Sequence, residues 1–309
     1  MNDSFLPGAL MFAFGLRQQH TKAAIVCLVS GKVSRPCVAA LHVVFDKVIN
    51  VDEVYVHHSM AHQRQDRPFL FSRFNALRLG GDGDLRQNYH KIIVCDADLL
   101  PIKDYDCLFS LDVPAGIINE SKQNCVQSKG GKYTSDDEGG TWCWHKKYGG
   151  ICPHGQKIPA EITDRVKTDS ENMGVNASLW VLQPSFSEYQ MIMEDIAEPD
   201  VQQMIGTFKW PEMQYATLRW SGQWTNVDIK YSSFNGYPRL DALCGTHFAG
   251  IKPWRYTGKS QLQRLFAYPD YSMWYMKFMQ MMAGNNQLFS CRRLHNLYCD
   301  IADVFKNVV

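Results

Sequence analysis

No apolar run in this chain is long enough to span a bilayer, no segment repeats, and charge of neither sign is in excess. Thirty-two basic residues face 31 acidic ones, for a formal net charge of +1. That balance removes the electrostatic basis for gripping a polyanion, so nucleic acid is excluded as an expected partner. The opening stretch, MNDSFLPGALMFAFGLRQQH, lacks a basic lead, and Pro7 and Gly8 interrupt its apolar part. It does not read as a secretory signal, and a cytoplasmic location is expected. A disulfide framework is missing as well. Cys27, Cys95 and Cys244 fall in or beside apolar segments, which suits buried thiols in a reducing compartment. A nucleotidyltransferase would need a glycine-rich, basic N-terminal loop to grip a triphosphate, and the chain has none.

What is present suits a globular α/β protein. At 309 residues, 45% of them hydrophobic and 20% charged, the chain can bury a full core. The apolar run Ala23–Ser30 predicts a strand covered on both faces. The spacing over Val38–Ile49 predicts a helix, Glu53–His58 a strand, and Ser72–Asn88 a helix broken by GGDGD. KIIVCDAD and Ala177–Ser185 read as further strands, and FSEYQMIMEDIAE as a helix. This alternation predicts parallel strands with crossover helices, Rossmann-like in kind. From residue 119 to about 172 the chain turns polar and glycine-rich, as expected of an insertion or lid. From about 260 to 309 it carries helical patterns whose Met and aromatic residues are expected to face the core.

The chemistry concentrates where the strand KIIVC runs into Asp96 and Asp98. Two like charges with the same strand parity leave on one face and repel, so a positive group is expected between them. Paired carboxylate oxygens suit a hard divalent ion, Mn²⁺ or Mg²⁺, which often bridges to phosphate. Asp-x-Asp is also common in turns. A second segment, THFAGIKPW, supplies His247, the bare backbone of Gly250 and the ammonium of Lys252, a set able to grip a diphosphate. Alone it reads equally as a surface turn.

Taken together, four ordered segments resemble glycosyltransferase family 8, the glycogenin and galactinol synthase group. They are GALMFAFGLRQQHTKAAIVCLVSGKVS with VVFDKVINVD, then HKIIVCDADLLPIKDYDCLF, NASLWVLQPS and HFAGIKPW. In character the resemblance is nearest to the glycogenin-like proteins of large insect DNA viruses. It implies a single GT-A domain over residues 1–309, a Rossmann-like mixed sheet flanked by helices. The chain joins the family pattern at MNDSFLPGAL, so the first strand is expected to be missing. The implied activity is retaining, Mn²⁺-dependent transfer of glucose or galactose from a UDP-sugar to a carbohydrate, protein or small polyol. Asp96, Asp98 and His247 would hold the metal, and Gly250 and Lys252 would contact the diphosphate. Asn176 and Glu212 would lie at the reacting sugar, and Arg73 would stand where the family keeps a donor-steadying lysine. Met213 replaces a family glutamine. Ser178 replaces a glycine and is expected to approach the sugar. Glycogenin-like proteins often dimerise, so a homodimer is admitted. The alternative is a catalytically impaired GT-A protein that binds a sugar nucleotide or serves as an interaction module. The tyrosine that glycogenin glucosylates is not carried over, and Tyr237 is expected to support a turn.

Within the insertion, Cys143, His145, Cys152 and His154 offer two thiols and two imidazoles, a donor set for structural zinc. The plain alternative is an acceptor-side loop.

Overall fold

The run Val-Asn-Ala-Ser-Leu-Trp-Val-Leu forms a strand buried at every position, and the sheet is built around it. The computed structural model describes residues 2–58, 66–118, 152–169, 172–234 and 240–308. The described strands are β1 (Val26–Val29), β2 (Lys47–Asn50), β3 (Ile92–Cys95), β4 (Leu99–Pro101), β5 (Ala115–Ile118), β6 (Val175–Leu182), β7 (Thr225–Asn226), β8 (Ser233–Phe234) and β9 (Gly245–His247). The α-helices are α1 (Leu6–Gln18), α2 (Arg35–Leu41), α3 (Ala160–Thr163), α4 (Phe186–Asp195), α5 (Pro199–Thr207), α6 (Pro211–Arg219), α7 (Lys259–Phe266), α8 (Pro269–Gly284) and α9 (Arg292–Val308).

Three sheets result, ordered β1-β2, β3-β6-β5-β7 and β4-β9-β8. The expectation of uniformly parallel strands is corrected. β1 pairs β2 and β5 pairs β7 in parallel, but β3 and β5 both run antiparallel to β6. The sheet is therefore mixed, as the family resemblance implies.

Other boundaries move for identifiable reasons. The helix expected over Val38–Ile49 ends at Leu41, and Lys47–Asn50 instead pairs with β1. Asp46 secures that switch by accepting the Ile25 amide at 2.7 Å while paired with Arg17. The strand expected at Glu53–His58 does not form. The Val54 amide goes to Ser72 Oγ at 2.9 Å and the Val56 amide to the Pro68 carbonyl at 2.8 Å, so neither joins a ladder. The helix expected over Ser72–Asn88 is a 3₁₀ segment, Arg67–Leu79. Strands at Val26–Val29 and Ile92–Cys95 and the helix Phe186–Asp195 fall within their expected segments, and the strand expected at Ala177–Ser185 starts two residues earlier, at Val175–Leu182.

The hydrophobic interior lies in layers. One cluster joins α1 and α2 to α7, α8 and α9, with Trp274, Tyr275, Phe278, Met281 and Met282 inside it. Most Met and aromatic residues of the C-terminal helices thus face the core, while Met276 is exposed. A second covers one face of the β6 sheet with Phe71, Phe74 and Trp180, and a third covers the other with Leu99, Leu179 and Val181. The alternation of Leu179 and Val181 with Trp180 and Leu182 is ordinary strand geometry. It is interrupted where the β5–β6 register jumps, from Gly116 opposite Trp180 to Ile117 opposite Asn176. Such bulges re-aim backbone groups, and this one lies beside the charged cluster described next.

Among the described residues no helix is long and apolar enough to cross a membrane. Eight free cysteines are described, with Cys37, Cys152, Cys244 and Cys291 buried. Burial pushes the Cys27 thiol up to about 12 and the Cys37 thiol up to about 11, which leaves both inert.

Candidate active site

Asp96 and Asp98 converge through a turn rather than through strand parity. β3 ends at Cys95, the Leu99 amide returns to the Asp96 carbonyl at 3.2 Å, and β4 begins at Leu99. The Asp96 amide bonds to the Ser178 carbonyl at 3.1 Å, which fixes the start of the turn on β6.

His247 arrives by sheet register. β4 runs antiparallel to β9 with Leu99 opposite His247, and the Phe248 amide bonds to the Asp98 carbonyl at 2.9 Å. The imidazole Nε2 then stands 3.2 Å from Asp98 Oδ1 and 3.8 Å from Asp96 Oδ2. The ring stacks on Phe234 at 5.5 Å between centroids, and its buried Nδ1 has no hydrogen-bond partner among the described residues. Lys252 reaches Asp98 from the loop after β9. Its Nζ contacts Asp98 Oδ2 and donates to the Phe248 carbonyl at 2.6 Å.

Arg73 closes the opposite side. It donates to Asp96 Oδ1 at 2.9 Å and to the Ala177 carbonyl exposed by the β6 irregularity, and it lies 3.7 Å from Glu212 Oε1 on α6. Its guanidinium also sits over the Trp180 ring, 5.2 Å from the centroid. Positive charge thus reaches the pair from two directions, Arg73 at Asp96 and Lys252 at Asp98.

Electrostatics follow from this packing. Burial works against ionisation of Asp98, but the His247 and Lys252 charges and hydrogen bonds outweigh it and hold the carboxyl well below the usual range. Burial likewise disfavours charge on Arg73, yet Asp96 and Glu212 more than compensate and raise its pKa.

The remaining expected residues lie nearby with different commitments. Asn176 is buried on β6 and turns its Oδ1 back to the Ser178 amide at 2.8 Å. Gly250 lies in the loop between His247 and Lys252. Ser178, expected to approach a sugar, is fully buried with its hydroxyl 2.7 Å from Ser232 Oγ, so that expectation is corrected. Met213 is buried in the cluster under β6. Of the zinc set, Cys143 and His145 lie outside the described residues. Cys152 is buried, and His154 Nδ1 accepts the Asp228 amide at 3.1 Å while the ring stacks on Tyr231. Residues 152–169, the described end of the expected insertion, are tied to β7 by Ile158 to Trp224 at 2.8 Å and Gly155 to Asn226 at 2.9 Å. Tyr237 lies outside the described residues.

The donor set fits a divalent cation. One ligand atom from each of Asp96, Asp98 and His247 lies within 4.8 Å of the other two. Two hard carboxylates and an imidazole suit a divalent cation, and the imidazole ring is packed against Phe234.

No protein-family model matches the chain. An uncharacterized protein of Acanthamoeba polyphaga mimivirus is 27% identical over 264 residues, covering 82% of this chain and 79% of that protein. Glycogenin of Neurospora crassa is 32% identical over 112 residues, covering 36% of this chain and 16% of the glycogenin. Over that stretch the chain resembles glycogenin. The aligned part spans well under two thirds of that glycogenin's length. Among solved structures, the galactosyltransferase LgtC in complex with donor and acceptor sugar analogs superposes with a TM-score of 0.57 at 11% identity, covering 90% of this chain and 92% of that one. At that identity the likeness establishes the fold, and the chain has the mixed α/β GT-A architecture.

Arg73 and Glu212 were legible only through family resemblance. The bond from Arg73 to Ala177 could not be read at all, because it depends on the β6 irregularity.

Proposed function

We propose that this protein is a hexosyltransferase that moves glucose or galactose from a UDP-sugar to an acceptor with retention of configuration, using a divalent cation. One observation carries the reading: Asp98 meets both His247 and Lys252, residues drawn from a segment about 150 positions away, at the end of a GT-A sheet. Such convergence of acid, imidazole and ammonium is expensive to bury and suits a site that handles a diphosphate.

Asp96, Asp98 and His247 would hold Mn²⁺, which when bound neutralises charge developing on a departing nucleoside diphosphate. Lys252 supplies a second positive charge for the same leaving group, and the Gly250 backbone lets the diphosphate approach. Arg73 holds Asp96 and Glu212 in fixed relation, so that the acidic wall beside the sugar is preorganised. Glu212 and Asn176 provide oxygen atoms suited to an anomeric carbon with oxocarbenium character. The whole chain acts as one domain that takes a carbohydrate, protein or polyol acceptor.

The test is hydrolysis of UDP-glucose and UDP-galactose with Mn²⁺ titrated in. Turnover is expected only with the cation, and Asp98→Asn is expected to lower it by about 100-fold or more. Sugar-nucleotide binding without turnover in the wild type would assign the impaired, binding-only reading instead. Neither binding nor turnover would sink both.

A further inference from the structure

Helix α1 contributes no charged group to the cluster, yet its first turn touches both halves of it. We propose that Gly8 is a positioning residue whose bare Cα is the common seat of the Asp96–Asp98 turn and the Lys252–Trp254 loop. The inference rests on reading Asp96, Asp98 and His247 as a cation site.

A Cβ built on Gly8 would lie 2.4 Å from the Ala97 carbonyl oxygen and 2.3 and 2.7 Å from two carbons of the Trp254 ring. Ala97 is the residue between the two carboxylates, and Trp254 stands two positions after Lys252. The carbonyl is backbone, so it yields only if the turn itself moves. The indole is backed by Trp274 at 5.7 Å between centroids, which blocks its retreat.

The helix is equally unable to withdraw, because its leading segment is tied on two sides. Asp3 accepts the Ser34 amide at 2.8 Å. Arg255 donates to Ser4 Oγ at 2.8 Å and lies over the Phe5 ring at 4.4 Å. Two turns further along the same face, a Cβ on Gly15 would lie 2.7 Å from the Pro101 carbonyl, at the far end of β4. α1 therefore lies flat along residues 97–101, with Gly8 at the carboxylate end and Gly15 at the other. Alanine at Gly8 would drive a wedge between the carboxylate turn and the lysine loop, although glycine to alanine ordinarily favours a helix.

The test compares Gly8→Ala, Gly15→Ala and Gly206→Ala in the full chain, the last being a helical site with none of the described residues within 4 Å of the added carbon. Mn²⁺ affinity is measured by calorimetry, and hydrogen exchange is followed at the Leu99 and Phe248 amides that brace the turn. Gly8→Ala is expected to weaken Mn²⁺ by about 10- to 100-fold, as loss of a supporting contact around a metal site does, and to speed exchange at both amides. Gly15→Ala is expected to lower the melting temperature while keeping wild-type Mn²⁺ affinity, and Gly206→Ala to change neither. Gly8→Ala combined with Trp254→Phe, which clears one side of the seat, is expected to regain part of the affinity, and it serves if Gly8→Ala alone does not fold. Wild-type affinity and exchange in Gly8→Ala, or an equal loss of affinity in Gly15→Ala, would overturn the proposal. Failure of the wild type to bind Mn²⁺ removes the cation reading, and exchange at the two amides still decides whether Gly8 is the seat.

Discussion

Arg73 illustrates how a single substitution relative to a family pattern changes a site's connections. Its fork spans Asp96, the Ala177 carbonyl and the vicinity of Glu212 at once, which a compact ammonium cannot do. Replacing it by methionine leaves two largely enclosed carboxylates facing one another. The expected cost is about 3 kcal/mol of folding stability, read as a lowered denaturation midpoint in urea. Arg73→Lys keeps the charge and loses the fork, so it is expected to retain most of the stability while weakening Mn²⁺ binding through a less firmly held Asp96. Equal loss in both variants would show that charge, rather than geometry, is what Arg73 supplies.

The elements around the site are held by bonds that no periodicity announces. Thr217 on α6 accepts the Val175 amide at 2.8 Å and donates to the Met213 carbonyl at 2.7 Å, so it fastens the start of β6 to the helix that carries Glu212. Gly174, just before, has φ +64°, and a side chain there would collide with Thr217. Thr217→Val preserves shape but leaves the buried Val175 amide unpaired. It is expected to cost about 1–3 kcal/mol in urea unfolding. Gly174→Ala is expected to destabilise through the same junction. Strand β6 itself was legible because an apolar run of that length wants burial on both faces. β2 was misassigned, as a continuation of helix α2, because Val38–Ile49 has a helical apolar spacing, whereas pairing with β1 and the Asp46 bond to Ile25 favour a strand from Lys47.

At the scale of the whole molecule, pH reports on two histidines away from the carboxylates, the buried His58 and the exposed His154. Burial, with the nearby Arg67 charge, lowers the pKa of His58 despite its hydrogen bond to the Phe208 carbonyl at 2.7 Å, and burial lowers that of His154 as well. A folded pKa below the unfolded one means that the unfolded chain binds protons more readily. This contribution to stability is therefore full above the ordinary imidazole pKa of 6.5 and is lost as pH falls through it toward the lower folded value. The melting temperature is expected to drop between about pH 7.5 and about pH 5.5, with a shallower drop in His58→Asn. A UDP-sugar is expected to raise the melting temperature beyond the effect of Mn²⁺ alone, and to leave it unchanged without Mn²⁺, since joint binding to the folded state stabilises it by mass action.

The amino-acid sequence by itself determined that a buried strand ends in two carboxylates and that an imidazole and an ammonium lie a few residues apart near the C-terminal third. It also determined that several apolar runs require a layered α/β core. Those are properties of local composition and spacing. Only the tertiary structure decided which oxygen meets which nitrogen. The Leu99–His247 register brings the imidazole to Asp98, the β6 irregularity turns a carbonyl toward Arg73, and the bare face of α1 admits the turn. Each of these depends on contacts between residues far apart in the chain, set by backbone pairing and close packing rather than by the identity of neighbours in sequence.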